Sequence, residues 1–211
     1  GVCGSGIIEV IAEMYLAGVI NQDGVIDGRL AQRSDRIVAD GRTFSYVLHR
    51  GDVPMQITQN DVRAIQLAKA ALHAGIRLLM DQLGVERVDR IGLAGAFGSH
   101  IDPKYAMVLG MIPDCALDRV ASVGNAAGAG ARIALLDATA RTAIEDLVRR
   151  VEKIETAIEP RFQAHFIEAM AIPHKTAAYP ELRKVVTLPE AKESAAQGAT
   201  RGRRGRRITN P

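Results

Sequence analysis

The sequence has few aromatic residues: its 211 residues include no Trp, four Phe and four Tyr. Aliphatic side chains must therefore fill the core, which favours a parallel sheet covered by helices over an antiparallel sandwich. The shares of apolar residues, 47%, and charged residues, 24%, are typical of a folded domain with a sizeable core. The composition thus predicts an α/β protein of one domain or two small ones.

Cysteine is also scarce, since Cys3 and Cys115 are the two in the chain. They form no Cys-x-x-Cys pair, zinc spacing or disulfide framework, which predicts a reduced, cytoplasmic protein without an iron-sulfur cluster of its own. No apolar run reaches the roughly 18 residues of a membrane helix, and the N-terminus has no signal-peptide pattern. We therefore expect no membrane partner.

Several nucleotide and hydrolase motifs are missing. There is no Gly-Lys-Ser/Thr of a Walker A loop and no Gly-x-Ser-x-Gly elbow, and the run Gly128-Ala-Gly130 lacks the third small residue of a dinucleotide fingerprint. The chain opens without Met on Gly1-Val-Cys-Gly-Ser-Gly. Because such a glycine loop normally follows a strand, we expect a preceding N-terminal portion.

The basic charge is confined to one end. The formal net charge is +3, and five Arg lie between Arg201 and Arg207. From Ala191 onward the sequence shows no periodicity, which predicts a disordered tail. Without interleaved aromatic residues, a solubilising tail is favoured over contact with an acidic partner, and nucleic acid is not expected as a partner.

The central motif runs from Val88 to Pro103 and reads as strand, turn and helix start. Gly95 and Gly98 allow positive φ angles and a close approach of a flat or anionic ligand to backbone amides. An ordinary tight turn between a strand and a helix explains the same spacing. A second strand-loop-helix unit follows at Gly124 to Gly130, where Asn125 is polar among small residues.

Two helices precede this motif. Apolar residues at intervals of three and four predict one helix from Gly4 to about Val19, with Ser5 as N-cap. Its first turn could contact a phosphate or a ribose. A plain capped helix start explains the same residues. A capping box of Thr58 and Asp61 begins the other, which ends at Gly84. Lys69 interrupts its apolar stripe, either extending along the surface to water or turning into a cleft.

The remaining pattern predicts a hairpin from Arg36 to Leu48 closed by Asp40-Gly41, since Asp-Gly is typical of tight hairpin turns. Gly75 in the long helix predicts close helix packing, and the segment 153–158 predicts one more strand.

Four ordered segments together resemble one family. They are Cys3-Gly-Ser-Gly, the stretch Ile57 to Lys69, the loop Leu93 to Pro103 and the run Val123 to Gly130. Over residues 1–175 the chain resembles the C-terminal part of the ATP-dependent reductive activators of corrinoid proteins. These belong to the superfamily of acetate and sugar kinases, heat-shock chaperones and actin. The resemblance implies a ribonuclease-H-like half of an actin-like ATPase fold, an α/β arrangement with a mixed sheet flanked by helices, and a tail at 176–211.

The resemblance also implies where the nucleotide lies. It places the adenosine-side loop at Gly95 to Ser99, the glycine loop at the start of the chain and further contacts on two helices. The implied nucleotide-binding residues are Gly4, Ser5, Gly6, Gln66, Lys69, Gly95, Ala96, Phe97, Gly98, Ser99 and Asn125. No catalytic residue and no metal ligand is assigned.

The implied activity is ATP-dependent restoration of cob(I)amide on a corrinoid protein or corrinoid-dependent methyltransferase. ATP with Mg²⁺ and an iron-sulfur cluster are then expected in the full-length protein, the cluster on a missing N-terminal domain. This chain has neither acidic phosphate loops nor cysteine-rich segments, so alone it is predicted to be inactive. A homodimer is left open. The alternatives are a small-molecule kinase of the same superfamily and a non-catalytic partner-binding module.

Overall fold

The computed structural model of the chain describes residues 1–190, so the predicted Arg-rich run lies outside the described residues. Seven α-helices, five strands and three short 3₁₀-helices form the described chain. The helices are α1 Gly4–Leu16, α2 Gln59–Leu83, α3 Pro103–Leu109, α4 Ala126–Leu136, α5 Ala138–Val148, α6 Pro160–Ala169 and α7 Pro180–Arg183. The strands are β1 Ile37–Asp40, β2 Thr43–His49, β3 Met55–Ile57, β4 Ile91–Ala94 and β5 Val120–Gly124; the 3₁₀-helices are Gly28–Gln32, Gly98–His100 and Leu117–Arg119.

The strands form two sheets flanked by helices. One is antiparallel in the order β1-β2-β3, and its hairpin pairs Asp40 with Thr43 across a turn in which Gly41 has a φ of +59°. The predicted hairpin is therefore confirmed. The other sheet pairs β4 and β5 in parallel, with Ile91 opposite Val120. Its two strands end at the same edge, where the sequence predicts the glycine loops.

The long helix α2 has the predicted ends. The hydroxyl of Thr58 accepts from the N–H of Asp61 at 3.1 Å, and the carboxylate of Asp61 accepts from the N–H of Thr58 at 2.8 Å. Gly84 ends the helix in the left-handed region at a φ of +65°. The interior of α2 differs from one prediction: a Cβ on Gly75 would meet no atom within 4 Å. The prediction of close helix packing at Gly75 is therefore wrong.

No strand forms over the segment 153–158: residues 156–158 are a turn, and residues 153–155 have no regular secondary structure. Its apolar residues find no partner strand, since β4 pairs with β5 alone in the described chain. The predicted strand at 153–158 is therefore wrong.

The core lies between α1, α3 and the two sheets. Ile11, Met107 and Leu109 are almost fully buried there. Tyr179 and Leu182 are buried in the same core, and the N–H groups of Glu181 and Leu182 donate to the carboxylate of Asp114 at 2.9 and 3.0 Å. This corrects the predicted boundary after residue 175, because the chain stays packed beyond it. None of the described helices combines the length and the apolarity needed to cross a membrane.

One face of α2 ties down irregular segments with polar side chains. Lys69 is 2% exposed, and its Nζ donates to the carbonyls of Ala171 and Pro173, the latter at 2.9 Å. Burial lowers the pKa of this amine to about 7. One helical turn before it, Gln66 is equally buried and its Nε2 donates to the carbonyls of Asp23 and Met170, each at 3.0 Å.

Gly110 ends α3 beside the same segment. Its φ is +73°, and a Cβ at this position would lie 1.9 Å from the carbonyl oxygen of Pro173. A backbone atom cannot swing aside as a flexible side chain would. The contact therefore requires glycine both for its conformation and for its lack of a side chain.

We expect Gly110→Ala to lower the free energy of unfolding by about 3 kcal/mol or more, because strain in the left-handed region and overpacking add. The matched control is Gly84→Ala, which has a similar φ of +65° and no atom within 4 Å of the added Cβ. It is expected to cost about 1–2 kcal/mol. Urea unfolding of both variants measures the difference, and equal losses would contradict a steric role for Pro173.

Lys69 is expected to make stability rise with pH between about 7 and 10. Its unfolded pKa is about 10.4, so in this window the unfolded state holds a proton that the folded state does not. The free energy of unfolding then rises by up to about 1.4 kcal/mol per pH unit, and below this window the contribution is constant.

Urea unfolding across this pH range would compare the chain with Lys69→Met, which should lose that part of the slope. Lys184→Met is the control, because Lys184 is exposed, 66% of its side chain being accessible. A slope that survives unchanged in Lys69→Met would show that the amine is charged in the folded protein.

Candidate functional site

The edge where β4 and β5 end is built on two glycines. The N–H of Gly95 donates to the carbonyl of Gly124 at 2.8 Å, and the two residues have φ angles of +97° and +70°. A Cβ on either would meet nothing within 4 Å, so conformation rather than space requires glycine here. Both strands thus turn sharply outward at the carboxyl edge of a parallel sheet, where α/β proteins bind ligands.

The loop after β4 is held by a serine. The Oγ and the N–H of Ser99 both donate to the carbonyl of Gly95, at 3.1 and 3.2 Å. Gly98 is buried, and a Cβ on it would lie 3.2 Å from the carbonyl carbon of Leu93. Ala96 and Phe97 remain at the surface, with the Phe97 ring 51% exposed. The loop is therefore fixed at its base and presents an aromatic face.

The start of α1 lies against this loop. A Cβ on Gly4 would lie 2.6 Å from the Cε2 atom of the Phe97 ring. The helix begins at Gly4 as predicted, but its N-cap is Cys3 rather than Ser5: the Sγ of Cys3 accepts from the N–H of Gly6 at 3.4 Å. Within the described chain, the N–H of Gly4 has no hydrogen-bond partner, whereas the N–H groups of Ser5 and Gly6 are directed at the Sγ of Cys3.

Cys3 is exposed at this helix start, and the hydrogen bond with Ser5 lowers the pKa of its thiol. Anions are favoured at the first turn of a helix, where unpaired N–H groups and the helix dipole coincide. The same physical effect acts on the thiolate of Cys3 and on any anionic ligand.

Asn125 stands at the same edge, directly after Gly124. Its Oδ1 accepts from the N–H of Gly128 at 2.9 Å and so caps α4. The side chain is exposed. A second helix N-terminus therefore faces this edge, and the predicted residues Gly4, Ser5, Gly6, Gly95, Ala96, Phe97, Gly98, Ser99 and Asn125 belong to one cluster.

Gln66 and Lys69 do not join this cluster. Both side chains are 2% exposed, and their polar hydrogens go to backbone carbonyls near residues 23 and 170–173. A buried donor that already serves carbonyls cannot turn to a ligand without leaving them unpaired. The structure therefore corrects the expectation that these two residues line a nucleotide cleft.

Ser122 is a residue of the edge that sequence reasoning missed. Its Oγ donates to the Oγ of Ser99 at 3.2 Å and accepts from the N–H of Gly124 at 3.2 Å. The signal was present, because residues two apart on a strand share a face and Ser122 precedes Gly124 by two. The hydroxyl thereby links the two loops.

The cluster suits the uncharged end of a nucleotide. It offers an aromatic face, two hydroxyls and the free backbone amide of Gly4, which can contact a base and a ribose. Within residues 1–190, no group of three or more His, Cys, Asp or Glu side chains is placed to hold a metal ion. Metal-bound phosphates need carboxylate ligands, so the described residues fit the adenosine better than the phosphate end.

Comparison with known proteins agrees with this architecture. The family model described as the C-terminal domain of RACo, the ASKHA domain, matches residues 1–183. The corrinoid activation enzyme RamQ of Eubacterium limosum is 34% identical over 174 residues, which make up 77% of this chain and 29% of that enzyme.

The solved structure of a reductive activator for corrinoid, iron-sulfur protein has a TM-score of 0.73 at 31% identity. The match covers 82% of this chain and 28% of that protein, so the chain spans less than one third of both relatives. The predicted family and fold are confirmed: the chain belongs to the family of the RACo C-terminal domain, the ASKHA domain.

Proposed function

We propose that this chain is the adenosine-binding part of an ATP-dependent reductive activator that restores cob(I)amide on a corrinoid protein or corrinoid methyltransferase. The observation that carries the proposal is the edge described above, where Phe97, Ser99 and the start of α1 meet beside Gly124. Similarity to RamQ and to the reductive activator supports the reaction class, because both are named for acting on corrinoid proteins or corrinoid activation.

Each part of the edge has a defined task in this proposal. The exposed ring of Phe97 stacks on the base, and the hydroxyls of Ser99 and Ser122 contact the ribose. The free amide of Gly4 and the dipole of α1 attract the nearer phosphate. The positive φ angles at residues 95 and 124 require glycine, and glycine leaves no side chain between the backbone and the ligand.

The phosphate end requires more than this chain. ATP bound with Mg²⁺ supplies, on hydrolysis, the free energy for the uphill reduction of cob(II)amide. Carboxylates for the metal and an iron-sulfur cluster for the electrons then belong to other parts of a longer cytoplasmic protein. A homodimer of that protein stays a prediction.

Phe97→Ala is expected to weaken adenosine binding about tenfold, because stacking of a base on an aromatic ring contributes roughly 1–3 kcal/mol. Titration of the ¹⁵N-labelled chain with adenosine, ADP and ATP should move amide signals of Gly4 to Gly6, Gly95 to Ser99 and Asn125. Phe162→Ala is the matched control, since Phe162 lies on α6 and packs against Phe166.

ADP and ATP should bind more tightly than adenosine, because the start of α1 attracts the nearer phosphate. Mg²⁺ should change none of these affinities, since the described residues offer no carboxylate set for it. If neither the chain alone nor the chain joined to the rest of a reductive activator gives saturable shifts at the edge, the proposed nucleotide site is wrong. An effect of Phe162→Ala as large as that of Phe97→Ala would point instead to a general loss of structure.

The chain alone is expected to release no phosphate from ATP, because the described edge has no carboxylate set for Mg²⁺. Phosphate release in the presence and absence of the remainder of an activator measures this. Transfer of phosphate to an added sugar or acyl acceptor would contradict the proposal and favour a small-molecule kinase.

A further inference from the structure

A pocket lies away from the proposed nucleotide edge. Its volume is about 610 Å³, and α2, α6 and the segments 86–89, 113–116 and 174–181 line it. None of the residues at the edge of β4 and β5 belongs to its lining. Two buried histidines, His73 and His174, stand in its wall with ring centroids 5.0 Å apart.

The proton of His73 is fixed by its partner. The side chain is 2% exposed, and its Nδ1 bonds the carbonyl oxygen of Gly110 at 3.0 Å. A carbonyl only accepts, so Nδ1 carries the hydrogen. Burial lowers the pKa of His73 to about 4, so the ring is neutral. Its Nε2 is therefore a bare acceptor.

His174 has the opposite arrangement. It is 6% exposed, and its Nδ1 accepts from the N–H groups of Thr176 and Ala177 at 3.2 and 3.0 Å. An atom that accepts two N–H groups carries no hydrogen, and burial lowers the pKa of the ring, so the single proton lies on Nε2. Its Nε2–H is therefore a donor.

Both Nε2 atoms keep some accessible surface. In the described chain neither has a hydrogen-bond partner, yet no described buried side-chain nitrogen or oxygen is left unpaired. The two atoms must therefore be accessible from the pocket. A nearly buried pair of rings thus offers one acceptor and one donor to the same pocket.

Because both rings are neutral, the pair itself favours a neutral group, whereas the rest of the pocket lining includes the charged side chains of Glu86, Arg87, Asp89, Asp114 and Glu181. Arg77 is engaged by Asp81 at 3.3 Å, and Glu168 accepts from the hydroxyl of Thr176 at 3.0 Å. A protonated amine or amidine only donates, so it cannot bond the N–H of His174. A carboxylate only accepts, so it cannot bond the lone pair of His73. A primary carboxamide matches both, with its oxygen on His174 and its N–H on His73.

We propose that His73 and His174 form a binding site for a small neutral ligand that carries a primary carboxamide. The inference does not depend on the nucleotide site. Lys69 acts as a positioning residue, because its Nζ holds the carbonyl of Pro173 next to His174. The pair recognises the amide edge by hydrogen bonds, and the 610 Å³ pocket accommodates the rest of the ligand.

Nicotinamide is a suitable probe, since it is compact and carries one primary carboxamide. Long-range ¹H–¹⁵N spectra of the ¹⁵N-labelled 211-residue chain should first show His73 protonated on Nδ1 and His174 on Nε2. Titration should then shift both ring signals saturably. N,N-dimethylnicotinamide lacks the N–H and nicotinate lacks the neutral amide, so each should bind at least tenfold more weakly.

His174→Leu should abolish the shift of the remaining His73 ring. The matched control is His165→Leu, because His165 lines the same pocket but bonds Asp81 at 2.8 Å. The ligand comparison on the unaltered chain tests the proposal even if His174→Leu fails to fold.

Three results would overturn the proposal. One is identical tautomers at the two rings, and another is the absence of saturable shifts, which would mean that water alone satisfies the pair. The third is equal binding of nicotinamide and its dimethyl derivative. Preference for nicotinamide that is lost in His174→Leu and kept in His165→Leu would support it.

Discussion

Hydrogen bonds from one face of α2 hold the irregular parts of this protein. Gln59 and Gln66 donate to carbonyls in the segment 23–26, Lys69 donates to the segment 171–173, and His73 donates to Gly110. A buried carbonyl left without a donor costs about 1–3 kcal/mol, so each of these side chains is required by a segment distant in sequence. The polar face of α2 thus fixes the positions of these loops by hydrogen bonds.

These hydrogen bonds from α2 explain how the two candidate sites differ in chemistry. Because Gln66 and Lys69 are committed to carbonyls, the edge of β4 and β5 is left with backbone amides, hydroxyls and the Phe97 ring. The same commitments fix the segment that carries His174, which gives the pocket a defined proton arrangement. Polar side chains buried for structural reasons at one place therefore determine which ligands another place can recognise.

Local signals could be predicted from the sequence, and distant ones could not. The Asp40-Gly41 turn, the Thr58 capping box and the end of α2 at Gly84 depend on residues within four positions of one another. The role of Lys69 depends on carbonyls more than 100 residues away, which no spacing reveals. The proton arrangement of the histidine pair depends likewise on Gly110, which is 37 residues from His73 in sequence. The residues at the edge of β4 and β5 could therefore be predicted from local motifs, whereas the histidine pocket could not.

The short helix α3 joins the two sites physically. The loop that begins at Gly95 leads into it, and Gly110 at its other end holds His73. Seven residues span about 10 Å, and the last four, Ala106 to Leu109, are at most 1% exposed. A helix packed this closely cannot shift without repacking the core, because interiors are as dense as crystals. The proposed nucleotide edge and the histidine pair are therefore linked through one helix whose second half is buried.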